Sequence, residues 1–316
     1  MSLFNMRGIE YIPPDINIPF MRWKWWYFVF SIVLIVGSIV LFLVKGLNYG
    51  IDFAGGVLIE VRTEGPADLA KMRSTLGDLG LGEVALQEYG FSNDVLIRVE
   101  RQPGGDEAQT AAVDRIKAAL GPGVEYRRVE TVGPQVSREL FVNGMIALFG
   151  AIGGIIIYIW FRFEWQFAIG GVIAELHDVI STIGLFSLLG LEFNLTSIAA
   201  LLTIAGYSIN DTVVVYDRVR ENLRKYKKMP LEQLLNMSIN QTLSRTFNTG
   251  GTVLLALLAL YFLGGDVIRG FALAMIWGLF VGTYSSICAA VPLLVIFKLR
   301  DSKMSAGDGK AVEPAP

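Results

Sequence analysis

Ile204-Ala-Gly-Tyr-Ser-Ile-Asn-Asp-Thr-Val-Val-Val-Tyr-Asp-Arg218 is the stretch whose reading decides the fold. It is apolar enough to lie in a bilayer, yet Asn210 and Asp211 stand side by side within it. An ionisable side chain inside hydrocarbon is costly and marks a functional position by default. The rest of the chain supports the membrane reading. Of 316 residues, 53% are hydrophobic and only 18% are charged, an unusual balance for a water-soluble domain. Several runs reach the roughly 20 apolar residues that a crossing needs. The net charge of -2 decides little, because the charges are unevenly spread. Cys288 is the single cysteine, so no internal disulfide forms, and its apolar surroundings suit a small core residue.

Outward from that run, the chain divides as follows. Residues 1–25 form an N-terminal tail with Arg7, Arg22, Lys24 and the breakers Pro13, Pro14 and Pro19. The first crossing spans 26–44 and opens on the aromatic group Trp23, Trp25, Trp26 and Tyr27, a composition typical of headgroup depth. It is too long for a signal-peptide core and lacks a small-residue cleavage site. Residues 46–138 alternate between strand and helix patterns: strand 57–62, helix 66–79, strands 83–88 and 94–101 about a turn at 90–93, helix 106–120, strand 124–132. This βαββαβ order predicts a small α+β ferredoxin-like domain. Its surplus of acidic residues suits the outer, periplasmic side.

Five more crossings follow at 141–160, 167–189, 196–216, 245–263 and 271–297, separated by short turns. Between the fourth and fifth lies a basic segment, 217–243, with Arg218, Arg220, Arg224, Lys225, Lys227 and Lys228. Positive charge is enriched in cytoplasmic loops, so this segment is expected inside. Its apolar residues Leu231, Leu234, Leu235 and Ile239 have helical spacing and suggest a short helix lying on the inner surface. Lys298, Arg300 and Lys303 close the sixth crossing inside, and residues 298–316 read as a disordered cytoplasmic tail. The expectation is an α-helical polytopic protein of the bacterial inner membrane with both termini cytoplasmic.

Two helices carry polar faces. Residues at i, i+3, i+4 and i+7 share a face, which groups Thr203, Tyr207, Asn210 and Asp211 on the fourth crossing. On the fifth it groups Thr242, Arg245, Thr249 and Thr252, with Asn248 adjacent. Asp211 and Arg245 fall at similar depth. Desolvation and a nearby cation push a carboxylate in opposite directions, whereas arginine stays charged. Such a pair works as a proton switch: ionised Asp211 holds Arg245 and protonated Asp211 releases it. A static ion pair that only fixes helix packing is the competing reading.

The third crossing contains Glu175, His177 and Asp178. A histidine between carboxylates raises the question of a metal. His177 is the only histidine and no second ligand set exists, so a relay or hydrogen-bonding role is expected and no metal. After the first crossing, Tyr49-Gly-Ile-Asp-Phe-Ala-Gly-Gly56 supplies Gly50, Asp52, Gly55 and Gly56. The glycines permit unusual backbone angles, and Asp52 is expected to cap or pin the junction between helix and domain. There is no phosphate-binding GK[ST], nucleophile elbow, Cys–His pair or nucleotide motif.

Together these motifs resemble the SecF family, within the RND superfamily. The resemblance is carried by Tyr49 to Gly56, His177-Asp-Val179, Gly206 to Asn222 and Arg245-Thr-Phe-Asn-Thr-Gly-Gly-Thr252, in the family's order across nearly the whole chain. It implies an RND-like membrane unit paired with SecD, associated with the SecYEG channel and YajC, which uses the proton-motive force to assist a polypeptide translocating to the periplasmic side. It implies that Asp211 and Arg245 are the family's essential membrane pair. It implies no catalytic turnover of a small substrate, no cofactor beyond the proton gradient and no nucleic-acid partner. Two other readings stand beside it. One is half of an RND-type pump for small molecules or lipids, although 46–138 is small for a porter domain. The other is an intramembrane aspartyl protease using Asp178 and Asp211, which no supporting motif favours.

Overall fold

The computed structural model describes residues 16–297 and Leu299. Residues 1–15 of the expected N-terminal tail, with Arg7, Pro13 and Pro14, lie outside the described residues. So do Lys298, Arg300, Lys303 and the expected disordered tail.

Among the described residues, six helical spans are long and apolar enough to cross a membrane. After a 3-10 turn at Phe20–Trp23 comes α1, Lys24–Lys45. A compact α/β domain follows, and then α5, Pro134–Arg162, and α6, Trp165–Leu189. The set is completed by α7, Leu195–Lys225, α8, Leu231–Leu263, and α9, Asp266–Ser285. A π-helical segment, Ser286–Ala290, carries α9 into α10, Val291–Ile296.

Of the boundaries that differ from the sequence reading, three bear on how the helices pack, each for a physical reason. The fourth crossing does not end at 216: α7 continues to Lys225, so Arg218, Arg220, Arg224 and Lys225 are helical rather than part of a loop. Good helix formers and cations near a helix C-terminus favour such an extension. Residues 231–239 are not a separate surface helix. They are the first turns of α8, with Leu234, Leu235 and Ile239 fully buried against α7 and α10 rather than laid on lipid. Residues 134–138, assigned to the domain, begin α5, where Pro134 supplies a preset first-turn φ.

Membrane helices lack a hydrophobic drive to associate, so close approach at small residues matters. Gly184 of α6 meets Ser38 of α1, and Gly278 of α9 meets Ile204 of α7; a Cβ at either glycine would overlap its neighbour.

The α/β domain comprises β1, Asn48–Tyr49; α2, Ile51–Ala54; β2, Gly56–Thr63; α3, Leu69–Gly77; β3, Val84–Tyr89; β4, Phe91–Val99; α4, Gly105–Leu120; and β5, Val124–Val132. The sheet order is β3-β4-β2-β5, all antiparallel, the ferredoxin-like arrangement. One face packs Val57, Ile59, Val61, Ile97 and Val99 under Met72 and Leu76 of α3 and Ile116 of α4. Period-two alternation on the strands and i, i+4 spacing on α3 place these residues together. The short pairing of β1 with β6, Glu192–Phe193, was not foreseen; it is parallel and ties the domain to the α6–α7 turn.

The opposite sheet face is polar. Arg62 donates to Asp94 through Nε at 2.6 Å and Nη2 at 2.7 Å. That fork holds the buried Asp94 carboxyl below the usual carboxylate range. A depressed folded value adds stability that is fully present above the unfolded value of about 3.9 and is lost as pH falls through the folded value. Asp94→Asn is therefore expected to weaken the domain at neutral pH and to flatten its acid sensitivity below about pH 4. Hydrogen exchange at β2 and β4 amides, corrected for intrinsic rate, reads both; an unaltered acid limb contradicts the assignment.

Candidate functional site: buried carboxylates and the domain junction

Asp211 sits mid-helix in α7, about four turns from its C-terminal end. It is buried, and its Oδ2 has no hydrogen-bond partner among the described residues. Arg245 lies well inside α8 rather than at its start, because α8 begins at Leu231. It is exposed on the helix packed against α7, and among the described residues no hydrogen bond or ion pair joins it to Asp211. The two expected members are thus neighbours held apart.

Their polar surroundings are mixed. Tyr207 is half-buried with an unpartnered hydroxyl, and Gly250 of α8 leaves room for it, its Cβ position being 3.7 Å from Tyr207 Oη. Thr249 donates to the carbonyl of Arg245 at 3.0 Å, and Thr252 to that of Thr249 at 2.8 Å, so both serve their own helix. Asn210, Asn248 and Thr252 are exposed. Arg245, Asn248 and Thr252 on the polar face of α8 are therefore uncovered in this chain, whereas Thr242 on the same face is buried. Only 11% of the apolar window of α8 is buried, against 67% for the span 268–296, so α8 is a peripheral helix with a polar stripe.

Asp178 forms a second centre at the junction of α6, α7 and α9. Its Oδ1 meets His177 Nδ1 at 2.9 Å. Its Oδ2 accepts from Ser285 at 2.8 Å and from Ser208. Ser208 is less than one turn before Asp211 on α7, so the two centres share one short stretch of helix. Ser286 continues the network to Thr212 at 2.7 Å and to the Ser208 carbonyl at 3.3 Å. The π segment lets Ser285 and Ser286 both serve this interface, and Tyr216 donates to the Ala290 carbonyl at 3.1 Å. Such insertions concentrate at functional positions. Glu175 is buried without a partner for either carboxylate oxygen, and His177 Nε2 is also unpartnered. Among the described residues no group of three or more His, Cys, Asp or Glu could hold a metal ion.

Sequence reasoning missed Ser208, Ser285, Ser286 and Thr212. The adjacent serines in an otherwise apolar run were the available signal. It also missed Asn222, which donates to Ser238 at 2.9 Å and Gln241 at 2.8 Å and so joins α7 to α8.

The motif after α1 lies at the junction between domain and helices. Asp52 Oδ2 accepts from the Leu195 amide at 3.0 Å, capping the start of α7 beside that helix's own N-cap, Asn194. One of the four orphan amides of that helix is thereby satisfied by a residue from another element. The Gly50 amide donates to the Phe193 carbonyl at 3.0 Å. Gly56 has φ +119°, and a Cβ there would overlap the Val99 carbonyl oxygen; Gly55 has φ +74°. Around them Tyr49, Phe53, Phe141 and Phe193 pack with centroids 5.5–6.5 Å apart, edge-on in every contact but the tilted Phe53–Phe193 pair, a geometry that adds to area burial.

Two family models match the chain: "Protein export membrane protein SecD/SecF, C-terminal" over residues 112–300 and "SecD/SecF GG Motif" over residues 40–67. The chain is 46% identical over 310 residues to the protein translocase subunit SecF of Rhodobacter capsulatus, covering 93% of each. It is 51% identical over 271 residues to that of Magnetococcus marinus, covering 84% of this chain and 87% of the relative. The crystal structure of SecDF, a translocon-associated membrane protein from Thermus thermophilus, overlays with a TM-score of 0.81 at 39% identity, covering 92% of this chain. A SecDF structure in a super-membrane-facing form overlays with a TM-score of 0.67 at the same identity, covering 93%. This chain spans 40% of the length of each of those SecDF chains.

Proposed function

Because the chain belongs to the SecD/SecF family of protein-export membrane proteins, on the SecF side, we propose that it is half of a proton-driven unit assisting polypeptide export. Asp211 takes up and releases the proton, and Arg245 responds to its charge. The carrying observation is a buried carboxylate oxygen without a partner, with an exposed arginine on the helix packed against it. A carboxylate so placed changes its interaction with the cation whenever it gains or loses a proton. Moving one charge through 100 mV is worth about 2.3 kcal/mol, so a few protons can drive a domain motion.

The second half comes from a SecD-type partner. The uncovered Arg245, Asn248 and Thr252 stripe on α8 favours that reading, because polar groups facing lipid are expensive and a second chain would cover them. The fact that this chain matches 40% of a SecDF chain fits it too. The two SecDF structures fit this chain unequally at equal identity, which supports an assembly with more than one arrangement. The SecYEG channel and YajC are proposed as further partners, the proton gradient as the only energy source, and a passenger polypeptide as the substrate, without catalytic turnover of a small molecule. The basic residues about the α7–α8 turn favour a cytoplasmic position for that turn and for both termini.

Arg245→Lys tests the pairing. Arginine offers a planar fork and lysine a strongly hydrated point charge. The expected outcome is a marked loss of proton-dependent export in vesicles holding the paired complex, with assembly retained. Parental activity in that variant leaves only a general need for positive charge.

A further inference from the structure

The α/β domain is tied to the membrane helices by two peptide connections, α1 to β1 and β5 to α5. The β1–β6 pairing makes a third link, and side chains add to it. Arg98 on β4 donates from Nη1 to Asn48 Oδ1 at 2.9 Å and from Nη2 to Glu192 Oε2 at 2.7 Å. Glu192 is fixed to the first turn of α7, because its carbonyl accepts from Ser197 Oγ at 3.0 Å, and Ser197 is the third helical residue of the capping box with Asn194. Gly50 makes the link possible, since a Cβ there would overlap the Glu192 carboxylate. The ion pair lines a cleft of about 490 Å³ between the polar sheet face and the domain-side helix ends.

The Arg98 and Glu192 side chains are 22% and 27% exposed. An arginine fork fixes direction, while partial solvation keeps such a pair weak enough to open and close. From the other side, Asp52 holds the Leu195 amide. The first turn of α7 is therefore gripped twice from the domain side, and the same continuous helix carries Asp211. A stiff packed helix passes a shift of one end to the other without a chain of intermediate contacts.

We propose that Arg98 is the positioning residue that couples α7 to the α/β domain, with Glu192 as its counterpart and Gly50 as the residue that leaves the space. The inference deepens the proton-driven reading and rests on it for the source of the α7 motion.

The test uses the full chain assembled with its partner in lipid vesicles. A Cys288→Ser background carries spin labels at exposed positions of α4 and α8, Asp114→Cys and Leu263→Cys. Arg98→Glu is expected to broaden the label-to-label distance distribution and to remove most export stimulation while proton flux persists. The exchange Arg98→Glu with Glu192→Arg is expected to restore the narrow distribution and export together. Arg98→Gln, which keeps a donor toward Asn48, serves where the reversal fails to insert, with the same two readings. An unchanged distribution in the single variants overturns the proposal. So does joint loss of proton flux and export that the exchange leaves unrepaired, the outcome of a merely structural role. The distances are read without a proton gradient, so a negative result there leaves Asp211 as the proton carrier. Conversely, a proton-independent Asp211 leaves the link between Arg98 and Glu192 measurable.

Discussion

Asp211→Asn is expected to abolish proton-dependent stimulation of export and proton flux, while the chain still inserts and assembles with its partner. Asparagine matches aspartic acid in size and stands in for its neutral form. The variant is therefore frozen in one state of the proposed cycle. Little packing changes, because the carboxylate oxygen at issue makes no hydrogen bond in this arrangement. A buried group that had been stabilising the fold through a paired charge would behave differently, since breaking such a pair leaves an uncompensated ion and destabilises strongly. Two measurements on one preparation decide the matter: co-purification of the partner, and acidification of the vesicle lumen with export followed in parallel. Normal flux and export sink the relay. Loss of assembly together with export shifts Asp211 to a packing role. The neighbouring centre supplies a contrast, because Asp178 is saturated by His177, Ser208 and Ser285. Asp178→Asn should disturb packing between α6, α7 and α9 as well as function, since a satisfied buried network is costly to break.

Gly56→Ala is expected to produce the largest structural loss in the α/β domain. At φ +119° an L side chain is strained, by about 1–3 kcal/mol. The added Cβ would also overlap the Val99 carbonyl oxygen, which belongs to the sheet ladder and cannot swing aside as a flexible side chain does. Against a typical domain stability of about 5–15 kcal/mol, that loss is a large fraction. Other glycines provide the scale. Gly55→Ala meets Ser137 Oγ and the Val132 carbonyl at 3.3 Å with φ +74°, so an intermediate loss is expected. Gly65→Ala meets nothing within 4 Å and needs no positive φ, so it should be neutral. Protection of the β2 and β4 amides from hydrogen exchange orders the three variants. Equal protection in all of them removes the backbone argument for the double glycine.

The candidate site was legible to the degree that its chemistry was unusual for its surroundings. Asp211 and Arg245 stood out because charges in apolar runs are rare, and the helix period put them on facing stripes. The serines around Asp178 were not legible, because a hydroxyl within a membrane helix usually satisfies its own backbone, as Thr249 and Thr252 do here. Only the packing of α6 against α7 and α9 turns Ser208 and Ser285 toward a carboxylate. The amphipathic spacing at 231–239 was read correctly as helical but wrongly as a surface helix. Periodicity reports which face is apolar and cannot say whether lipid or protein covers it.

From the sequence alone came the six crossings, the ferredoxin-like insertion and the candidate charged residues Asp211 and Arg245, because bilayer thickness, strand alternation and helix period are local constraints written along the chain. Tertiary structure decided how these parts engage. It separated Asp211 from Arg245 and left the Asp211 oxygen unpartnered. It drew Asp178 into a hydroxyl cage, turned Asp52 into a cap on a helix 143 residues away, and set Arg98 against Glu192 across 94 residues. Those relations depend on distances between elements remote in sequence, and no local pattern encodes them.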